Sequence, residues 1–423
     1  MRLLSIFLPD LRREPAKHLP IRLATLSAMA ENQGYTVGFY DLDGDRGSML
    51  KLKHQLRVAD WNLAVMEVHH YNIQSAREVA NLIRKEFPRI RFAAVSDEPD
   101  MVMELVPMIQ IAVHEDVADA VFRDLLSQVY SKNWSRVPSA YYRTKKGYNT
   151  TEPPKEEEDI DTIPFPNLDL TVIEPYFANS PLQLGKEAKN CKRRIDVLWE
   201  RGNRRNSPDY MVSQVRYFRL KYAIDFVNIL DRNFLVDLPR ASEFAEKFQQ
   251  EDFYGSVVFG IRVEPKDVEY PILKKLKEAR CMFVILQGTE NYLRKDSATS
   301  EKAAFDLKLV GVDRIASFEL LPQADIEDIL EFVWYCIRHD MQPLLSMLTV
   351  PPYMYGHEFK DRSEVFGYTE IIALEALMKV KNLEGLLTLS HEIKKDHSAK
   401  WNLKCPVCKS TGMVEEKIVV KSR

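Results

Sequence analysis

Along the first third of the chain, short apolar runs alternate with segments whose apolar residues recur every three or four positions. Arg2 to Leu8 and Tyr35 to Asp41 read as strands flanking a helix over Leu19 to Gln33, where Leu23, Leu26, Met29 and Ala30 share a face and Gly34 supplies the terminating glycine. The alternation continues with strands at Leu63 to Val68, Ile90 to Val95 and Ile109 to His114, and with helices at Ile73 to Phe87 and Val117 to Tyr130. Strands separated by helices of this length predict a parallel sheet covered on both faces, a doubly wound α/β domain. Val137 to Arg143 adds a strand-like piece, and Lys145-Lys146-Gly147 after it predicts a hairpin turn.

From Glu152 to Asp161 the chain is acidic and proline-bearing with little apolar content, which reads as an exposed linker closing in Ile163-Pro164-Phe165-Pro166. Beyond it a second alternation predicts strands at Arg194 to Trp199, Ile224 to Leu230, Ser256 to Arg262, Met282 to Leu286, Arg314 to Leu320 and Gln342 to Thr349. The intervening helices are expected at Asp209 to Tyr222, Leu238 to Gln250, Val268 to Ala279, Ser300 to Val310 and Ile326 to Asp340. Six consecutive βα units without strand reversal suggest a barrel or a (β/α)6 partial barrel of parallel strands. After Pro351-Pro352 the pattern turns helical, best at Thr369 to Lys379 and Glu384 to Lys394. The expected division is 1–135 for the doubly wound domain, 136–178 for the linker, 179–352 for the barrel and 353–423 for a helical tail.

Composition narrows the function classes. A chain of 423 residues with 45% hydrophobic content can fill more than one core, and a formal charge of −3 gives no global attraction to nucleic acid or anionic membrane. No apolar run approaches the roughly 20 residues of a spanning helix, and Met1 to Pro9 is too short for a signal peptide, so a cytoplasmic location is expected. Five cysteines in a chain of this size argue against a disulfide framework.

Ligands of doubly wound sheets and barrels collect at the carboxyl ends of strands. In the first domain that rim carries His69 and His70, with His18 and His114 at the same level; these are candidates for ligand contact, or loop residues satisfied by backbone. In the second, Arg201, Arg204 and Arg205, with Arg193 and Arg194 upstream, suit a phosphate, a carboxylate or an acidic partner, or form a solvated loop face. Asp231, Arg262 and Glu319 sit at barrel strand ends, either converging on a ligand or neutralising one another as a structural network. The tail spacing His391-x5-His397-x7-Cys405-x2-Cys408 suits a zinc knuckle, the alternative being a reduced tail.

The order of parts resembles the cobalamin-binding-domain class of radical S-adenosylmethionine (SAM) proteins. Leu19 to Asp41 is similar to that family's first helix and second strand, Ile160 to Leu170 to its inter-domain phrase, Ile224 to Phe234 to its second barrel strand and turn, and Arg262 to Cys281 to its third strand and following helix. The resemblance implies cobalamin, SAM and a [4Fe-4S] cluster held by a CxxxCxxC run after the first barrel strand. Trp199 to Pro208 contains no cysteine, and the family's glycine turns are replaced by Val95-Ser96-Asp97-Glu98, His114-Glu115, Leu286-Gln287-Gly288-Thr289 and Glu319-Leu320-Leu321. The expectation that follows is no [4Fe-4S] cluster, weakened cobalamin binding, zinc in the tail as the candidate metal, and no catalytic residue. The function expected is that of a catalytically degenerate member serving as an accessory or regulatory subunit of a partner enzyme, such as a cluster-bearing radical SAM relative. The alternatives are a corrinoid- or other ligand-dependent transferase without a cluster, and a zinc-tailed protein-binding module.

Overall fold

The computed structural model describes residues 1–9, 19–44, 47–69, 72–153, 159–178, 191–288, 296–320, 331–332, 335–336 and 338–347. Most of the expected helix over 326–340, the tail helices, His18, His70, His391, His397, Cys405 and Cys408 lie outside them. The chain divides into two compact units, the first built mainly from Met1–Pro181 and Asp196–Tyr210, the second mainly from Leu182–Ile195 and Met211–Val350.

The first unit contains β1 (Arg2–Phe7), α1 (Ile21–Asn32), β2 (Thr36–Asp41), α2 (Met49–Arg57), β3 (Leu63–Glu67), α3 (Ile73–Glu86), β4 (Arg91–Ser96), α4 (Pro99–Leu105), β5 (Ile111–His114) and α5 (Ala118–Gln128). A hairpin of β6 (Ala140–Thr144) and β7 (Gly147–Thr150) follows, then the short α6 (Glu174–Ala178). The sheet order is β2-β1-β3-β4-β5-β6-β7, parallel as far as β5 and antiparallel from there. Strand alternation explains the two cores. Leu4, Ile6, Ala64 and Met66 face the cluster that includes Leu52, Val79, Ile83 and Met101 of α2, α3 and α4. Leu3, Leu63 and Val65 face the cluster with Leu23, Leu26, Val121, Phe122 and Leu125 of α1 and α5. Full burial of each Leu, Ile, Val, Phe or Met side chain among these stabilises by about 1.5–3 kcal/mol. Gly34 takes φ +80° just past α1, as its sequence position predicts.

The second unit's sheet runs β15-β14-β13-β12-β11-β8, in chain order from one edge to the other. Its strands are β8 (Arg194–Val197), β11 (Phe226–Ile229), β12 (Val258–Val263), β13 (Cys281–Leu286), β14 (Asp313–Leu320) and β15 (Gln342–Met347). Between them lie α7 (Pro208–Tyr222), α8 (Leu238–Gln249), α9 (Tyr270–Glu278) and α10 (Ser297–Val310). The registers between β11 and β15 are parallel throughout, the topology of a (β/α)6 partial barrel. Phe244 and Phe248 of α8 pack edge-on against Phe259 of β12, with ring centroids 5.4 and 5.1 Å away. Gly260 of β12 is small because a Cβ there would meet the Phe283 ring at 2.2 Å.

Between β8 and α7 stands a two-stranded hairpin of β9 (Glu200–Arg201) and β10 (Arg204–Arg205), turned at Gly202-Asn203. Gly202 takes φ +62°, the left-handed conformation that tight hairpin turns need at their first central position.

Candidate functional site

The order β2-β1-β3-β4-β5 reverses direction between β1 and β3, and ligands of such sheets lie beyond the strand ends at that reversal. Charged side chains converge there. β3 is apolar until its last residue, Glu67, and His69 follows two positions later. Arg22 comes from the first turn of α1, which follows β1; Asp97 follows β4 and Glu115 follows β5. Arg22 Nη1 lies 2.6 Å from Glu67 Oε1 and 2.7 Å from Glu115 Oε2, bridging two carboxylates from different strand ends. His69 Nδ1 is 2.6 Å from Asp97 Oδ1, and its Nε2 is 3.3 Å from Glu67 Oε1. Asn72 fixes the turn between them, its Oδ1 accepting from His69 N at 2.8 Å and its Nδ2 donating to Glu67 O at 3.1 Å.

These contacts set the charges. Burial opposes ionisation of Glu67, but the Arg22 charge and the His69 hydrogen bond outweigh it and hold the carboxyl down at about 2. Burial likewise opposes a charged His69, but hydrogen bonds to Asp97 and Glu67 and their negative charges raise it to about 9. At neutral pH the rim therefore holds imidazolium and guanidinium cations among three carboxylates. Among the described residues, Glu67, His69 and Glu115 are also a group whose ligand atoms lie within 4.8 Å of one another, the geometry of a metal-binding set.

Nearby, Asp41 at the end of β2 is the acceptor for four donors. Its Oδ1 takes Asp43 N at 2.9 Å and Gly44 N at 2.7 Å, and its Oδ2 takes Thr171 Oγ1 at 2.8 Å and Tyr176 Oη at 2.6 Å. Burial, then the Asp41 charge, pushes the Tyr176 phenol far above its ordinary value, so it stays protonated and donates to Asp41.

The β9–β10 hairpin belongs to the first unit, and its arginines find their partners within that unit. Arg204 Nη2 donates to Asp116 O at 2.7 Å and to Asp119 Oδ1 at 3.0 Å, while Arg201 Nε lies 3.6 Å from Asp119 Oδ2. Asn206 Nδ2 donates to Ile160 O and to Asp161 Oδ1, both at 3.0 Å. Arg205 is half-buried on β10. In the second unit Arg193 Nη1 donates to Tyr222 O at 2.7 Å, and Arg194 lies 5.6 Å over the Phe226 ring. Asp231, fully buried beyond β11, pairs with Arg240 Nη2 at 3.4 Å. Arg262 is half-buried on β12, and the side chain of Glu319 on β14 lies outside the described part. Cys281 and Cys336 are buried thiols; burial pushes Cys281 up to about 12 and Cys336 further in the same direction, which suits packing, not reactivity.

The sequence singles out His69 and places Asp97 and Glu115 only as members of the replaced glycine turns at the same rim; Arg22 and Glu67 were missed. The missed signal is a strand of apolar residues that closes on a glutamate with a histidine two places on, since positions i and i+2 at a strand end share a face.

No protein-family profile and no curated protein sequence matches the chain. Solved structures do. TsrM from Kitasatospora setae, a radical SAM methyltransferase solved with tryptophan substrate and a SAM analogue, matches with a TM-score of 0.64 at 14% identity over 83% of this chain and 74% of its own. TsrM solved with cobalamin and a [4Fe-4S] cluster bound matches with a TM-score of 0.64 at 14% identity over 83% and 76%. OxsB, a cobalamin-dependent SAM radical enzyme solved with aqua-cobalamin and SAM, matches with a TM-score of 0.64 at 12% identity over 94% of this chain and 62% of its own.

The expectation of no [4Fe-4S] cluster and weakened cobalamin binding is corrected by these matches, because a neighbour in fold was solved holding both groups. The expectation rested on one cysteine-free loop and on replaced glycines. Those show only that Trp199 to Pro208 supplies no thiolate, and cysteines elsewhere in the chain are not bound by that count. Among the described residues no three thiols form a metal-binding group. Nor is any described helix long and apolar enough to cross a membrane. A doubly wound unit followed by a six-strand partial barrel, matched over most of its length, gives this chain the fold of the cobalamin-dependent radical SAM enzymes.

Proposed function

We propose that this chain is a catalytically degenerate protein of that fold, working as an accessory or regulatory subunit of a partner enzyme, with a radical SAM enzyme as the favoured partner. The observation that carries the reading is the hairpin after β8. In the family that this sequence resembles, the loop at that point serves the cofactor. Here Arg201, Arg204 and Asn206 are committed to Asp119, Asp116, Ile160 and Asp161. A segment tied down by buried ion pairs and hydrogen bonds is shaped for rigidity, and a rigid surface without a reacting group suits recognition by a protein. The Asp231–Arg240 pair supports the same reading, since both charges are consumed inside the second unit.

The test is SAM turnover by the isolated chain after anaerobic reconstitution, with a strong reductant present. The reading requires no 5′-deoxyadenosine and no methyl transfer above the protein-free rate. Turnover by the chain alone overturns it.

A further inference from the structure

The Glu67, His69 and Glu115 cluster has a chemistry that an ion-pair network does not need. Its three donors come from β3, the turn after β3 and the residue after β5, so separate strands converge on one point. Zinc–nitrogen and zinc–oxygen bonds of about 2.0–2.2 Å place neighbouring tetrahedral ligands roughly 3.3 Å apart. His69 Nε2 and Glu67 Oε1 are 3.3 Å apart. The other imidazole nitrogen, Nδ1, is bound to the Asp97 carboxylate at 2.6 Å, the arrangement in which an outer carboxylate fixes the ring and, once the incoming metal has displaced the Nε2 proton to solvent, leaves Nε2 as the ligand. Asn72 holds the backbone of this turn from both sides.

We propose that Glu67, His69 and Glu115 form a divalent transition-metal site of the zinc class, oriented by Asp97, with Arg22 as the internal cation that holds its place in the metal-free state. One imidazole with two carboxylates suits zinc better than calcium or magnesium, which favour oxygen-only shells. Arg22 Nη1 already bridges the same two carboxylates that the metal would bridge, at 2.6 and 2.7 Å. Its side chain is 22% exposed at the start of α1, so it can turn toward solvent when a divalent ion takes over the carboxylates. Three protein ligands leave a coordination position open for water or a small anionic ligand, at the strand ends where this sheet type binds ligands. The site is independent of the accessory role: failure to affect a partner counts against that role alone, and failure to bind metal counts against this site alone.

The experiment is zinc titration by calorimetry of the full-length chain carrying Cys405→Ser and Cys408→Ser, so that tail thiols contribute nothing, with cobalt absorption as a second readout of coordination. One equivalent is expected. Asp97→Asn should weaken binding about 10–100-fold, and Glu115→Gln, which removes a ligand, by at least as much. Arg22→Gln should tighten it at least about tenfold, a gain that misfolding cannot imitate. Far-UV circular dichroism of each variant checks the fold. No zinc uptake by the serine background, or an affinity that Glu115→Gln and Asp97→Asn leave unchanged, overturns the proposal.

Discussion

Arg204 Nη2 donates to Asp119 Oδ1 at 3.0 Å, and the Asp119 side chain is 4% exposed. This one carboxylate receives two hairpin arginines at the start of α5, four residues beyond the rim carboxylate Glu115. Removing one member of a buried ion pair strands the other charge, which costs about 3–5 kcal/mol. Asp119→Ala is therefore expected to lower the unfolding free energy by that amount, moving the urea midpoint down with an unchanged slope. It should also open the hairpin to limited proteolysis at Arg201, Arg204 or Arg205. An unaltered midpoint and digestion pattern would mean that the hairpin is held by something else.

His69 makes stability depend on pH in a defined direction. Its folded value of about 9 lies above the ordinary histidine value, so its contribution is fully present below about pH 6.5 and is lost as pH rises through about 9. The difference in unfolding free energy between the wild type and His69→Gln should then be on the order of 3 kcal/mol at pH 6 and shrink toward pH 9.5. Glu67 behaves oppositely. Its depressed value means that its contribution is present above about pH 4.5 and lost as pH falls toward about 2. Denaturant curves across pH, with NMR titration of the His69 ring, check both signs.

Tyr176→Phe removes a phenol that donates to the Asp41 carboxylate at 2.6 Å. A hydrogen bond to a charged acceptor contributes about 1.5–3 kcal/mol. The variant should lose that much, and in the Asp41→Ala background the same substitution should cost much less. Equal losses in both backgrounds would show that the phenol acts through packing.

Gly260→Ala drives a methyl group into the Phe283 ring, where a Cβ would stand 2.2–2.6 Å from ring carbons. Overpacking of this kind costs about 1–3 kcal/mol. Adding Phe283→Leu should cost less than in the wild-type background, because the smaller side chain relieves the clash. Strict additivity by thermal unfolding would count against direct contact as the cause.

Both alternations were legible because they come from burial. The β4 run Phe92–Ser96 is buried at every position, and α3 buries Ile73, Ala76, Val79, Ala80 and Ile83 on one stripe. The helices α2 and α4 were not read. α2 buries only Leu52 and Leu56 among lysines, a histidine and a glutamine, and starts on a Ser48 cap. α4 is a seven-residue helix beginning at Pro99, too short to show a period. His69 was legible because it follows a strand, yet its partners were not. Arg22 lies 45 residues from Glu67, and Asp97 lies 28 from His69, so only the strand order brings them together. The hairpin arginines had the same limit, because Asp119 is 85 residues from Arg204.

The most direct test of the accessory role is purification of the tagged full-length chain from its native host, followed by turnover of the enzyme that accompanies it. A stoichiometric radical SAM partner is expected, whose turnover changes several-fold when this chain is added back, while the chain alone turns over no SAM. A chain that purifies alone and cleaves SAM or transfers methyl groups unaided would contradict it.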